Sequence, residues 1–109
     1  MSEHIRVTES SGNVFADLGL PDADERLVKA QIASRICEII AGRKLTQTKA
    51  AAILGVDQPK VSALVHGRLD GFSSDRLFRF LNVLDRDVEI VIKPKREEAE
   101  HGSVRVVTV

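Results

Sequence analysis

The side chains best suited to metal binding or nucleophilic chemistry are three histidines and one cysteine, and they are scattered along the chain: His4, Cys37, His66 and His101. None stands at the spacing that a metal site or a helical ligand pair requires. No serine lies in a nucleophile-elbow setting, and there is no phosphate-binding glycine loop. We therefore expect no catalytic residue, no metal site and no cofactor.

The charged residues separate by segment, although the net charge of the chain is zero. Five basic residues and one acidic residue lie between Arg43 and Leu69, a balance of +4. Six acidic residues and three basic ones lie between Met1 and Ala30, a balance of −3. Because Lys and Arg neutralise phosphates, the central segment is the candidate for contact with nucleic acid.

Length and composition restrict the class of protein further. A chain of 109 residues with 43% hydrophobic and 29% charged residues is predicted to form one globular domain. Four Phe with no Trp or Tyr leave an aliphatic core, in which the lone Cys37 is expected to pack, and disfavour single-strand binding by base stacking. No apolar run approaches the ~20 residues of a membrane span, so a cytoplasmic protein is expected.

Two longer helical patterns frame the basic segment. From Asp22 the apolar residues recur at three- and four-residue steps, which predicts a helix that ends near Gly42. Another helix is predicted from about Ser74 to Leu84, preceded by a cap and hydrophobic staple at Phe72, Ser73 and Leu77. Residues 1–21 are predicted to form a mobile arm followed by an anchored turn.

Two shorter helices are predicted between them. Thr46 is an N-cap residue type, and Gly55 suits a left-handed helix end. Asp57 then caps the next helix, with Val56 and Val61 placed as a hydrophobic staple. Two short helices joined by a three-residue turn are typical of a helix-turn-helix, which presents its second helix to a DNA groove.

The period changes after Arg86. Val88, Ile90 and Ile92 alternate with Glu89, Val91 and Lys93, as side chains on the two faces of a strand do. The segment Ser103 to Val109 is again rich in β-branched residues, so two strands or a hairpin are predicted around a charged linker. An edge strand with no neighbour favours pairing across a two-fold axis. We therefore predict a homodimer joined through Val88, Glu89, Ile90, Val91 and Ile92.

The central motif resembles the Xre family, the lambda-repressor-like or Cro/CI-type helix-turn-helix domains. The resemblance covers about Leu27 to Leu84 and depends on Leu45-Thr46-Gln47, Ala51, Leu54-Gly55-Val56, Gln58, Val61-Ser62, Leu64 and Gly67. Three flanking motifs are similar to those of a subgroup of small Xre proteins, many of which are HigA-like antitoxins that pair with RelE-type toxins: Asn13 to Gly19, Phe72-Ser73 and Asp87 to Ile90.

The resemblance implies a mainly α fold, a lambda-repressor-like bundle of four to five helices with a C-terminal β-strand or hairpin. Its parts are an N-terminal arm (1–21), a helix-turn-helix DNA-binding domain (22–86) and a C-terminal β segment for dimerisation (87–109).

The resemblance also assigns roles at the DNA. Gln47 begins the first helix of the motif, where the family places a phosphate contact. Gln58 opens the recognition helix and is placed to read adenine by two hydrogen bonds. Lys60 is placed to reach phosphate or guanine, and Ala63 a thymine methyl group.

The remaining positions complete the proposed interface and include one departure from the family. Phosphate contacts at its rim are implied for Ser62, His66, Arg68 and Arg76. Pro59 stands where many relatives carry a polar base-reading side chain, and its ring offers only apolar contact.

Three hypotheses for function follow from the sequence. The leading one is an antitoxin that represses its own operon and neutralises a RelE- or HigB-like toxin through the N-terminal arm or the C-terminal strand. The second is a stand-alone Xre-type regulator of transcription. The third is a protein-interaction module that has lost DNA binding, for which Pro59 and the zero net charge are the support.

Overall fold

The computed structural model describes residues 23–109, and its regular structure consists of four helices. These are α1 (Ala23–Gly42), α2 (Gln47–Leu54), α3 (Gln58–Val65) and α4 (Ser74–Val83). All four lie where the apolar spacing and the cap residues predict them. The arm predicted for residues 1–21 lies outside the described residues.

Two compact units divide the chain. The helical unit, Lys29–Glu89, holds most of α1 and the whole of α2, α3 and α4. The other unit contains, among the described residues, the start of α1 up to Val28 and the C-terminal segment Ile90–Val109. No described helix is long and apolar enough to cross a membrane.

The hydrophobic core of the helical unit is aliphatic apart from two phenylalanines, as the composition predicts. Its buried members are Ile32, Ala33, Ile36, Ile40, Ala50, Ala51, Leu54, Val61, Leu64, Phe72, Leu77, Phe80 and Leu84. Within residues 23–109 no polar or charged residue belongs to this buried set. Burial of apolar side chains from all four helices is therefore what holds α2 and α3 in place.

Side-chain caps begin α2, α3 and α4. The first N–H groups of a helix lack intrahelical partners, and a preceding Ser, Thr or Asp oxygen accepts a bond from one of them. In each case the oxygen accepts from the backbone N–H three residues later at 3.1 Å; the three caps are Thr46, Asp57 and Ser73. The structure confirms these three predicted caps.

Each of the four helices is followed, within two residues of its last residue, by a residue in the left-handed backbone conformation. These residues are Lys44 (φ 57°), Gly55 (φ 75°), Gly67 (φ 76°) and Asp85 (φ 66°). At each helix end, the backbone N–H of the next residue donates a hydrogen bond to the carbonyl five residues earlier. At the end of α2, for example, the Val56 N–H donates to the Ala51 carbonyl at 3.1 Å. Gly55 thus has the conformation that the sequence predicts, whereas Lys44 and Asp85 adopt it without the freedom of glycine.

Gly55→Val is expected to lower the free energy of unfolding by more than about 1 kcal/mol, because a β-branched residue is unfavourable at positive φ. A Cβ atom at position 55 would meet no atom within 4 Å, so the cost arises from the backbone conformation alone. Urea unfolding followed by circular dichroism measures the loss. Lys44→Gly is the matched reverse change and is expected to preserve stability or raise it. Equal stability of Gly55→Val and the parent chain would contradict this account of the turn.

The C-terminal segment corrects the sequence prediction. Residues 86–109 contain no strand, so the strands predicted at Asp87 to Lys93 and Ser103 to Val109, and the hairpin between them, are wrong for the described chain. A strand forms only where its backbone pairs with that of a second strand. Alternating side chains favour the extended conformation but do not provide the second strand. Ile90, Val91 and Ile92 are 74%, 74% and 92% exposed.

Candidate nucleic-acid interface

The turn between α2 and α3 positions the candidate recognition helix. Gly55 ends α2 in the left-handed conformation, and Asp57 accepts a hydrogen bond from the Lys60 backbone N–H to begin α3. Val61 is fully buried and Val56 is half-buried, as a hydrophobic staple requires. The two short helices are therefore joined by a turn with a defined cap at each end, and the first residue of α3 lies at the protein surface.

The two faces of α3 differ sharply in exposure. Val61 and Leu64 point into the core with 0% and 2% of their surface exposed. Gln58 and Pro59 in the first turn are exposed. A helix anchored by one apolar face and exposed along its first turn has the geometry that major-groove recognition uses.

The remaining candidate contacts on α2 and α3 lie at intermediate depth. Gln47 is the first residue of α2, follows the Thr46 cap and is half-buried. Lys60, Ser62 and Ala63 are also half-buried. Because Ser62 and Ala63 are short and partly buried, they can contact only a partner that lies close to α3. The Lys60 side chain is longer and carries its charge away from the helix.

His66 ends α3 with a defined hydrogen bond. Its Nδ1 lies 2.8 Å from the backbone carbonyl of Ser62 and 3.4 Å from the Ser62 hydroxyl. Because a carbonyl oxygen only accepts, Nδ1 donates to it, and Nε2 is the ring nitrogen that faces an outside partner. Toward a phosphate oxygen Nε2 must donate as well, as it does in the imidazolium form of the ring. Arg68, beyond the left-handed Gly67, is exposed.

Lys60 and Arg76 meet at the same aromatic ring. The Lys60 Nζ lies 5.2 Å from the centroid of Phe72, and the Arg76 guanidinium carbon lies 5.9 Å from it. Arg76 also lies 5.8 Å from the centroid of Phe80. Two of the sequence-predicted DNA contacts, one on α3 and one on α4, are thus brought together by residues of the core.

Arg43 contributes less to the basic surface than its place in the sequence suggests. Its guanidinium donates to the backbone carbonyl of Leu84 at 2.6 Å and lies 3.3 Å from the Asp85 carboxylate. These contacts secure the chain after α1 to the end of α4. Part of the charge counted between Arg43 and Leu69 is therefore used within the fold.

Cys37 takes part in packing, as predicted. The half-buried thiol lies 3.8 Å from the backbone carbonyl of Leu64, where α1 meets α3. Burial, and secondly the negative charge of Glu38, raise the pKa of the thiol above its usual value. The group therefore stays protonated near neutral pH and is a poor nucleophile.

The contact of Phe72 with two cations was not predicted from the sequence. Phe72 was predicted only as a staple for α4, and the structure adds these two contacts. The four-residue spacing from Phe72 to Arg76 is a signal that was available. The twelve-residue separation from Lys60 carries none, because that contact forms only when α3 and α4 pack.

Known proteins share this arrangement of helices. Residues 14–93 match a protein family described as a helix-turn-helix domain. A solved structure named as a candidate XRE family transcriptional regulator is similar to this chain, with 46% sequence identity and a TM-score of 0.78. The similarity covers 82% of this chain and 100% of that one. Among curated proteins, none matches the chain.

Proposed function

The chain belongs to the Xre family of helix-turn-helix proteins, and on that basis we propose that it is a sequence-specific transcriptional repressor that reads a double-stranded operator with α3. Family membership makes it a DNA-binding regulator and not an enzyme. The observation that carries the proposal is the division of α3 into a buried face, Val61 and Leu64, and an exposed first turn.

Base reading is assigned to the first half of α3. Gln58 is exposed at its first position, where an amide side chain makes two hydrogen bonds to adenine in the major groove. Pro59 offers apolar contact beside it, and Ala63 lies one turn further for a thymine methyl group. Because one of the three residues makes hydrogen bonds and two make apolar contacts, the preferred site should be rich in A·T pairs.

Backbone contacts are assigned around this centre. Gln47 begins α2, so its side chain and the free N–H groups of that helix approach one phosphate together. The other phosphate contacts are assigned to Ser62, His66, Arg68 and Arg76, and Lys60 is placed to reach either phosphate or guanine. Such contacts set the register of the protein on the duplex and supply most of the affinity, whereas base contacts supply the preference.

The test is duplex binding measured as a function of salt. We expect the logarithm of the binding constant to fall linearly with the logarithm of salt concentration, with a slope of about −0.9 for each phosphate neutralised. Fluorescence anisotropy with a duplex from the upstream region of the gene and one of shuffled sequence measures both affinity and preference. Binding no stronger than that of an unrelated protein of zero net charge would contradict the proposal, and would favour an interaction module without DNA binding.

A second copy of the chain is the proposed partner of the segment Val88, Glu89, Ile90, Val91 and Ile92. The support is its alternating pattern together with the exposure of Ile90, Val91 and Ile92 on the single chain. Their backbones need a second strand, which a two-fold related copy supplies. Two modules on one operator also double the DNA contact of a small domain.

Val91→Pro is expected to turn this dimer into a monomer, because proline removes one donor of the strand pair while all four helices remain untouched. Sedimentation measures the mass, and circular dichroism checks the helices. Lys95→Pro, in the charged segment beyond the proposed pair, is the control and should leave the mass unchanged. A Val91→Pro dimer with full affinity for a two-fold operator would show that this segment is not the contact.

We further propose that the chain is an antitoxin, which binds and neutralises a partner toxin. Two segments, residues 13–19 and residues 87–90, are similar to the matching segments of HigA-like antitoxins. This similarity supports a toxin of the RelE or HigB type as the partner, bound by residues 1–21 or by the C-terminal segment. Co-expression with the adjacent reading frame tests it, because a toxin should arrest growth alone and co-purify with this chain. A neighbour that neither arrests growth nor co-purifies would leave the stand-alone regulator.

A further inference from the structure

Two positive charges share one aromatic ring at the junction of α3 and α4. The Lys60 ammonium and the Arg76 guanidinium both lie within 6 Å of the Phe72 centroid, and within residues 23–109 neither side chain forms a salt bridge. Cations are attracted to the face of an aromatic ring. Since both cations are held at one ring, they lie no more than about 11 Å apart, and anionic groups that reach both are favoured over a contact with either alone.

The ring that holds them is itself fixed. Phe72 is 2% exposed and packs edge-to-face on Phe80, with centroids 5.9 Å apart and an angle of 76° between the ring planes. Gly71 leaves room beside it, since a Cβ atom there would lie 3.2 Å from the Lys60 Nζ. The ring therefore restricts two long side chains that would otherwise sample many rotamers.

We propose that Phe72 is a positioning residue for DNA binding, which holds Lys60 and Arg76 together as a clamp on the DNA backbone. The inference depends on the proposed function and deepens it, because it assigns Lys60 to phosphate and removes it from base reading. Phosphodiester groups are the fitting anions, since neighbouring phosphates on a strand lie close enough for two cations held at one ring. The clamp joins α4 to α3, so that docking of the recognition helix sets the position of both contacts.

Charge variants test whether the cluster meets phosphate. Lys60→Gln and Arg76→Gln are each expected to reduce the magnitude of the salt slope by about 0.9, equally on the operator and on shuffled duplex. Both residues are half-buried and neither belongs to the hydrophobic core, so the variants should remain folded. Unchanged slopes in both variants would overturn the proposal, provided that the parent chain binds DNA; failure of the parent to bind would instead overturn the proposed function.

Ring variants test the positioning role. Phe72→Leu keeps both cations and most of the apolar volume, yet it is expected to weaken binding about fivefold or more and to lower the salt slope. In this background, Lys60→Gln should cost less affinity than it costs in the parent chain. Phe78→Leu is the matched control, because Phe78 lies on α4 and, within residues 23–109, makes no cation–π contact; this variant should keep the parent slope.

The outcome separates positioning from packing. A ring that only fills the core would change thermal stability and leave the slope of the folded protein intact, and that result would overturn the proposal. If Phe72→Leu does not fold, Gly71→Ala tests the same contact, because its methyl group would lie 3.2 Å from the Lys60 Nζ and crowd it, at a position that requires no positive φ. A reduced slope in Gly71→Ala supports the clamp, and a parental slope excludes it.

Discussion

Leu64→Ala is expected to lower the free energy of unfolding by about 2–5 kcal/mol. Leu64 is 2% exposed and anchors the buried face of α3, so its truncation leaves a cavity beneath the recognition helix. A domain of this size has a total stability of only about 5–15 kcal/mol, and the loss should therefore appear as a large shift of the urea midpoint.

Val65→Ala is the matched control for this change. Val65 is the next residue of α3 and is 42% exposed, so its truncation removes little buried surface and slightly improves the helix propensity. Its stability should remain within about 0.5 kcal/mol of the parent. Similar losses in the two variants would show that α3 does not present the faces described above.

Gln58→Ala should abolish the preference for one base pair of the operator, at a cost of about 1–3 kcal/mol in discrimination, or roughly 5- to 160-fold. The exposed Gln58 begins α3, and alanine at that position keeps the helix while removing both hydrogen-bonding groups. Competition binding with operators that carry single base-pair changes measures the effect. The Gln58→Ala variant should tolerate changes of the base pair that Gln58 contacts, and should still discriminate against changes at the other base pairs of the operator.

Lys60→Ala is the comparison for Gln58→Ala. If Lys60 contacts phosphate, its loss should weaken binding to all sequences by a similar factor and leave the order of preference intact. Equal losses on every duplex from both changes would refute the division of roles. Loss of one base preference in Lys60→Ala would return this residue to base reading.

Local signals made most of the helical unit predictable. The caps at Thr46, Asp57 and Ser73 and the left-handed Gly55 depend on a few residues adjacent in the chain, and the structure has all four where they were predicted. The alternation at Asp87 to Lys93 predicts a strand that the single chain does not form, because a strand depends on a partner that the pattern itself does not supply. The left-handed Lys44 and Asp85 gave no signal, since neither residue type marks that conformation as glycine does.

The sequence by itself determined the four helices and the two-helix motif, because apolar period, capping and turn chemistry act over one or two helical turns. Only the tertiary structure decided which charges are free at the surface. Packing of α4 against the rest of the helical unit places the Arg43 guanidinium at the backbone carbonyl of Leu84, so Arg43 contributes less to the basic surface. The same packing brings Lys60 and Arg76 to Phe72. Such contacts join residues distant in the chain, and their partners are chosen by the burial of apolar faces, which no local pattern of charge encodes.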